Sequence, residues 1–109
     1  MILPKAEDTI HRAWMYRILT AIAEDPTLVE LLRFKGGTCA AMRGILPRFS
    51  VDLDFDLLDS NAVVLTQKHL ESIFRKLGLK VTDHSKNVPQ YFLKYSNVPY
   101  ARNTVKLDM

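Results

Sequence analysis

The stretch from Val51 to Leu57, Val-Asp-Leu-Asp-Phe-Asp-Leu, constrains this chain more than any other because it alternates strictly between apolar and acidic residues. A β-strand turns successive side chains to opposite faces, so Val51, Leu53, Phe55 and Leu57 share one face and Asp52, Asp54 and Asp56 the other. The apolar face demands a core. The acidic face demands an explanation, because aspartate is depleted in strands and like charges on one strand face repel unless something positive lies among them. A cation meets that demand, and Asp52 and Asp54 sit two residues apart on the strand, able to share one or two ions. All-oxygen donors without nearby nitrogen or sulfur favour Mg²⁺ or Mn²⁺ over zinc. Asp56, farther out, points to solvent or caps the next element.

The remaining pattern surrounds this strand with helices and further strands. Ile10, Trp14, Ile18, Ala21 and Ile22 recur at helical spacing between Glu7 and Ala23, and Asp25-Pro26 breaks the pattern. Trp14 reads as the core anchor of that helix. Leu28 to Leu32 fits either a short helix or the start of a strand; Leu31 to Lys35 reads as a strand that ends in a Gly36-Gly37 turn. A short helix from Thr38 to Ile45 follows. Asp59-Ser60-Asn61 caps a helix from about Ala62 to Leu77, which Gly78 ends. Strands are predicted at Leu79–Asp83, Gln90–Ser96 and Asn103–Asp108. This order indicates an α+β or α/β sheet with helices packed mainly on one face.

Length and composition narrow the class. At 109 residues and 48% hydrophobic content the chain is expected to form one domain over 1–109. Fifteen Lys+Arg against 12 Asp+Glu give a formal charge of +3, compatible with a polyanionic partner. The charge is unevenly spread: from Leu31 to Val51 there is no acid, while Arg33, Lys35, Arg43 and Arg48 all occur. Cys39 is the single cysteine, which excludes an intrachain disulfide and a cysteine-based zinc cluster. No apolar run approaches the roughly 20 residues of a membrane span, and the opening MILPKAEDTI lacks the core of a signal peptide. A cytoplasmic location and no membrane partner are the expectation.

On the last strand Thr104, Lys106 and Asp108 share a face. If that strand neighbours Val51–Leu57 in the sheet, Asp108 becomes a third carboxylate beside Asp52 and Asp54, and three carboxylates can hold two metal ions for an in-line phosphoryl displacement. Upstream, Gly36 and Gly37 before the helix start at Thr38 let backbone N–H groups approach phosphate oxygens. Arg48 either pairs with a triphosphate or neutralises the carboxylates; Lys35 and Lys106 either contact phosphate or are solvated. His11, His69 and His84 have no metal-ligand spacing and read as surface groups. Tyr91, Phe92, Tyr95 and Tyr100 interleave with Lys94, Arg102 and Lys106, a composition that suits either a single strand of RNA or a strand with one packed and one solvated face.

The segment Lys35–Phe55, KGGTCAAMRGILPRFSVDLDF, with the later Lys106-Leu107-Asp108, resembles the signature of the AbiEii/AbiGii toxin branch of the DNA polymerase β-like nucleotidyltransferases. The resemblance implies an α+β, nucleotidyltransferase-like mixed sheet and the loss of pyrophosphate from an NTP, with the nucleotidyl group passing to RNA (tRNA foremost), a protein hydroxyl or a small molecule. It makes Gly36, Gly37 and Ser50 phosphate-contacting positions, Asp52 and Asp54 metal ligands, and Asp108 the third acid and acceptor of the hydroxyl proton. It also implies a toxin-antitoxin setting with a cognate antitoxin, and further helices beyond the third acid in a longer family architecture. Transfer to a small molecule, and a non-catalytic fragment that binds only nucleotide or a partner, are the rival readings.

Overall fold

The computed structural model describes residues 6–42, 52–85, 90–97 and 102–109. Its elements run α1 (Ala6–Ala23), α2 (Pro26–Leu31), β1 (Leu32–Lys35), α3 (Gly36–Met42), β2 (Asp52–Leu57), a single 3-10 turn (Ser60–Ala62), α4 (Val63–Lys76), β3 (Lys80–Ser85), β4 (Gln90–Lys94) and β5 (Thr104–Asp108). These five strands form one sheet in the order β1-β2-β5-β4-β3. Among the described residues only β2 and β5 run parallel; the other neighbouring pairs are antiparallel.

Local chemistry accounts for the element ends. Asp25 accepts hydrogen bonds from the N–H groups of Thr27 and Leu28 at 2.9 and 3.1 Å, and Pro26 follows at the first helical position, so the ambiguous 28–32 segment resolves as a one-and-a-half-turn helix. At the end of α4, Gly78 adopts φ +73°, the Leu79 N–H donates to Phe74 O and the Gly78 N–H to Arg75 O, the paired bonds of a Schellman motif. The α3 helix begins at Gly36 rather than at Thr38, so the glycine pair forms its first turn.

One face of the sheet is the core. Leu53, Phe55, Tyr91, Leu93, Val105 and Leu107 are buried there against Met15, Ile18 and Ile22 of α1, Leu28 of α2, and Leu70, Ile73 and Phe74 of α4. The buried stripe of α1 runs through His11, Met15, Ile18 and Ile22, about one residue around from the Ile10–Trp14 stripe that hydropathy suggests. Ile10 is consequently 53% exposed. No helix among the described residues is long and apolar enough to cross a membrane.

Candidate active site

The opposite face of the sheet carries the acids. Because Leu53 and Phe55 are committed to the core, the pleat turns Asp52, Asp54 and Asp56 outward. The parallel pairing of β2 with β5 sets Asp52 beside Lys106 and Asp54 beside Asp108. On the other flank, antiparallel pairing sets Lys35 beside Asp54 and Arg33 beside Asp56. Directly paired residues share a face. Asp54 is therefore central to the group, with an acid on one side and a lysine on the other.

Burial raises the Asp54 carboxyl above its ordinary 3.8, and the neighbouring Asp108 and Asp52 raise it further, against partial relief from Lys106 and Lys35. This arrangement favours an added cation. Lys35 Nζ lies 2.6 Å from Asp56 Oδ1, and that hydrogen-bonded charge pair makes the lysine hold its proton more tightly than usual. Lys106 Nζ lies 3.2 Å from Asp108 Oδ2, while Gln90 on β4 donates from Nε2 to Asp108 Oδ1 at 2.8 Å.

Gly36 joins β1 to α3 directly over Asp54. Its φ is +86°, and a Cβ built there would stand 2.6 Å from Asp54 Oδ2. Only a residue without a side chain leaves the carboxylate its position. The donor set is all oxygen, which suits a hard divalent ion. Among the described residues, however, no three His, Cys, Asp or Glu side chains stand together in metal-holding geometry. Asp108 turns its two oxygens to Gln90 and Lys106, and Asp56 turns to Lys35.

The family model of the AbiEii toxin nucleotidyl transferases of type IV toxin-antitoxin systems matches residues 17–109, a span that includes all five strands. The chain belongs to the AbiEii toxin nucleotidyl transferase family. Its fold is also that of a crystal structure of a candidate nucleotidyltransferase from H. pylori, with a TM-score of 0.61 and 21% identity over 95% of this chain. That match spans 45% of the H. pylori chain, so this sequence corresponds to about half of it. No curated protein matches the chain.

Within the AbiEii-family chain, the residues singled out from sequence are distributed as follows. Asp52, Asp54, Asp108, Lys106 and Lys35 meet on the open face, and Gly36 abuts it. Gly37 and Thr38 lie in the first turn of α3. Arg48 and Ser50 fall outside the described residues.

The expectation for the histidines is corrected. His11 is not a surface group: it is fully buried, with Nδ1 2.8 Å from the Tyr95 hydroxyl. That hydroxyl donates its own hydrogen to Arg102 O at 3.0 Å, so His11 Nδ1 is the donor in the first bond. His69 is half-buried with Nδ1 2.9 Å from Asp25 Oδ2; the side chain of His84 lies outside the described residues. The aromatic stretch has one packed and one open face, the second of the two readings its composition allows. Tyr91 packs edge-on to Phe74 in the core, and Tyr95 stacks on Trp14 at 5.6 Å. Arg102 turns to Asp8 of α1 in an ionic contact at 3.4 Å, and Tyr100 lies outside the described residues. Phe92 and Lys94 alternate with the buried Tyr91 and Leu93 and so remain with Lys106 on the open face. Trp14 is half-buried and packs against the core, with the Arg17 guanidinium 4.7 Å above its ring.

Gln90 has no signal in the sequence. A glutamine at a strand start reads as a polar edge residue until register sets it across from an acid.

Proposed function

We propose that the chain is a metal-dependent nucleotidyltransferase that moves a nucleoside monophosphate from an NTP to an acceptor hydroxyl, with residues 1–109 acting as one nucleotidyltransferase domain of a longer family architecture. One observation carries the reading: the parallel register that brings Asp54 beside Asp108, under a glycine turn whose missing Cβ makes room for the carboxylate. Asp52 and Asp54 are the proposed ligands for Mg²⁺ or Mn²⁺, with Asp108 as the third acid. Such ions, when bound, polarise the attacking hydroxyl and neutralise the departing pyrophosphate.

The chain's own groups do the rest. Gly36, Gly37 and Thr38 bring backbone N–H groups toward phosphate oxygens, and Ser50 is a further proposed phosphate contact. Lys35, Arg48 and Lys106 neutralise the triphosphate. The acceptor oxygen bonds to the α-phosphorus as the bond from that phosphorus to the pyrophosphate oxygen breaks, and Asp108 takes the hydroxyl proton.

RNA is the acceptor class the surface supports best. Lys80 and Lys94 are directly paired across β3 and β4, on the face opposite the core-packed Val81 and Leu93. Like charges so paired destabilise a sheet, and a polyanion laid over them relieves the repulsion. Phe92, on the same face one row nearer Lys106, offers a stacking platform for a base. A cognate antitoxin as partner agrees with the type IV toxin-antitoxin family, and the proposed setting is the cytoplasm.

Incubation with each labelled NTP and total tRNA, with and without Mg²⁺, tests the proposal. Expected are Mg²⁺-dependent pyrophosphate release and labelled RNA, both lost in Asp52→Ala. Label transfer that persists in Asp52→Ala, or no release with any NTP, refutes it.

A further inference from the structure

Gln90 opens β4, and the antiparallel register pairs it with Asp108 of β5. Its amide donates to Asp108 Oδ1 at 2.8 Å, while Asp108 Oδ2 faces Lys106 Nζ at 3.2 Å. The two oxygens of the third acid thus have unlike partners. One is a short, planar amide fixed at the start of a strand; the other is an ammonium on a flexible stem that a phosphate can draw away. The choice of an amide is chemically pointed. A lysine or arginine at this position would neutralise Asp108 and compete with a divalent cation, and an acid would repel it. A glutamine orients the carboxylate and leaves its charge intact.

We propose that Gln90 is a positioning residue for Asp108, holding Oδ1 so that Oδ2 is the oxygen given to metal or acceptor once Lys106 turns to phosphate. The inference rests on the nucleotidyl-transfer reading above. Removing an outer partner of a metal-site carboxylate typically costs 10–100-fold in metal affinity or activity, which sets the expected size of the effect.

Gln90→Met keeps the length of the side chain and removes the donor. Gln90→Asn keeps the donor and withdraws it by one methylene, and carries the test should the methionine variant fail to fold. Two quantities are read on variants whose thermal unfolding is intact: Mn²⁺ affinity, from the electron paramagnetic resonance signal of free Mn²⁺, and kcat against KM for NTP. Mn²⁺ affinity and kcat are each expected to fall roughly 10-fold or more while KM for NTP changes less than about twofold. A purely structural role would move unfolding and leave both readouts alone. Wild-type protein that binds Mn²⁺ and releases pyrophosphate, with folded Gln90 variants matching it, overturns this inference alone. Wild-type protein that does neither overturns the nucleotidyl-transfer reading and this inference with it.

Discussion

Gly36→Ala separates backbone strain from site geometry, because the chain holds a built-in control. Gly36 and Gly78 both adopt left-handed backbone, at φ +86° and +73°. An alanine forced into that region costs about 1–2 kcal/mol at either position. For a domain of this size that lowers Tm by roughly 4–8 °C per kcal/mol. The surroundings differ. A Cβ at Gly78 meets nothing within 4 Å, whereas one at Gly36 stands 2.6 Å from Asp54 Oδ2 and 3.0 Å from Asp54 Cβ. Reaching ordinary van der Waals separation requires the carboxylate, the turn or both to withdraw by roughly 0.8 Å or more. Misplacement of about 1 Å at a reacting centre can cost on the order of 100-fold in rate, so a drop of roughly 10- to 100-fold in kcat is expected for Gly36→Ala. Gly78→Ala should lose stability and keep its turnover. Thermal unfolding by circular dichroism and pyrophosphate release at saturating NTP and Mg²⁺ measure the two effects. If folded Gly36→Ala protein turns over as fast as Gly78→Ala, the glycine does not protect the position of Asp54 and the reasoning fails.

Three other perturbations follow from the same geometry. Asp54 has a folded-state proton affinity raised by burial and by Asp108 and Asp52, so its stabilising contribution is whole below about pH 3.8 and is lost as pH rises through its raised value. Asp54→Asn should therefore melt above wild type at about pH 7, with the gap closing near pH 3.5; a constant gap across a pH series contradicts this. Lys80→Glu with Lys94→Glu should depress RNA labelling and flatten the log-log salt dependence of RNA binding by roughly 0.7 for each phosphate no longer neutralised; an unchanged slope removes the lysines from the RNA path. Tyr95→Phe deletes the hydroxyl that links His11 Nδ1 to Arg102 O, and should cost about 1 kcal/mol in urea unfolding with no effect on kcat.

The parts of the fold with strong periodicity are legible in the sequence. The acidic strand is plain because its period of two is unbroken, and α4 because Leu70, Ile73 and Phe74 keep helical spacing before Gly78. The parallel pairing of β2 with β5 is only conditional in the sequence, since α4, β3 and β4 intervene and nothing local encodes it. His11 misleads because its partner Tyr95 lies 84 residues away; a polar residue on an apolar stripe reads as a surface group until its hydrogen bond is known. Of the site, Asp52, Asp54 and Asp108 are legible as residues. Their partners are not, because the rotamers of Lys35, Lys106 and Gln90 follow from register. The glycine pair suggests a turn before the helix, whereas in the fold it is the first turn of the helix.

Those lysine pairs lead to a prediction about the order of the chemistry. Lys35 holds Asp56 and Lys106 holds Asp108, so each lysine acts as an internal counterion to the acidic face. Both lysines are also flexible cations that a triphosphate attracts. A nucleotide that draws them off leaves carboxylates with less neutralisation and a greater affinity for a divalent ion. Linkage makes the effect reciprocal: NTP should tighten Mn²⁺ binding by the same factor by which Mn²⁺ tightens NTP binding. Direct coordination of the metal by the nucleotide's phosphates adds to the coupling, so the contribution of the lysines is isolated by mutation. Lys35→Met and Lys106→Met should raise Mn²⁺ affinity without nucleotide, because the competing ammonium is gone, and should shrink the coupling measured with a non-hydrolysable NTP analogue. Calorimetric titrations in both orders measure it. If either variant binds Mn²⁺ no better than wild type without nucleotide and retains full coupling, that lysine is a bystander and the exchange of partners is not how the site opens to metal.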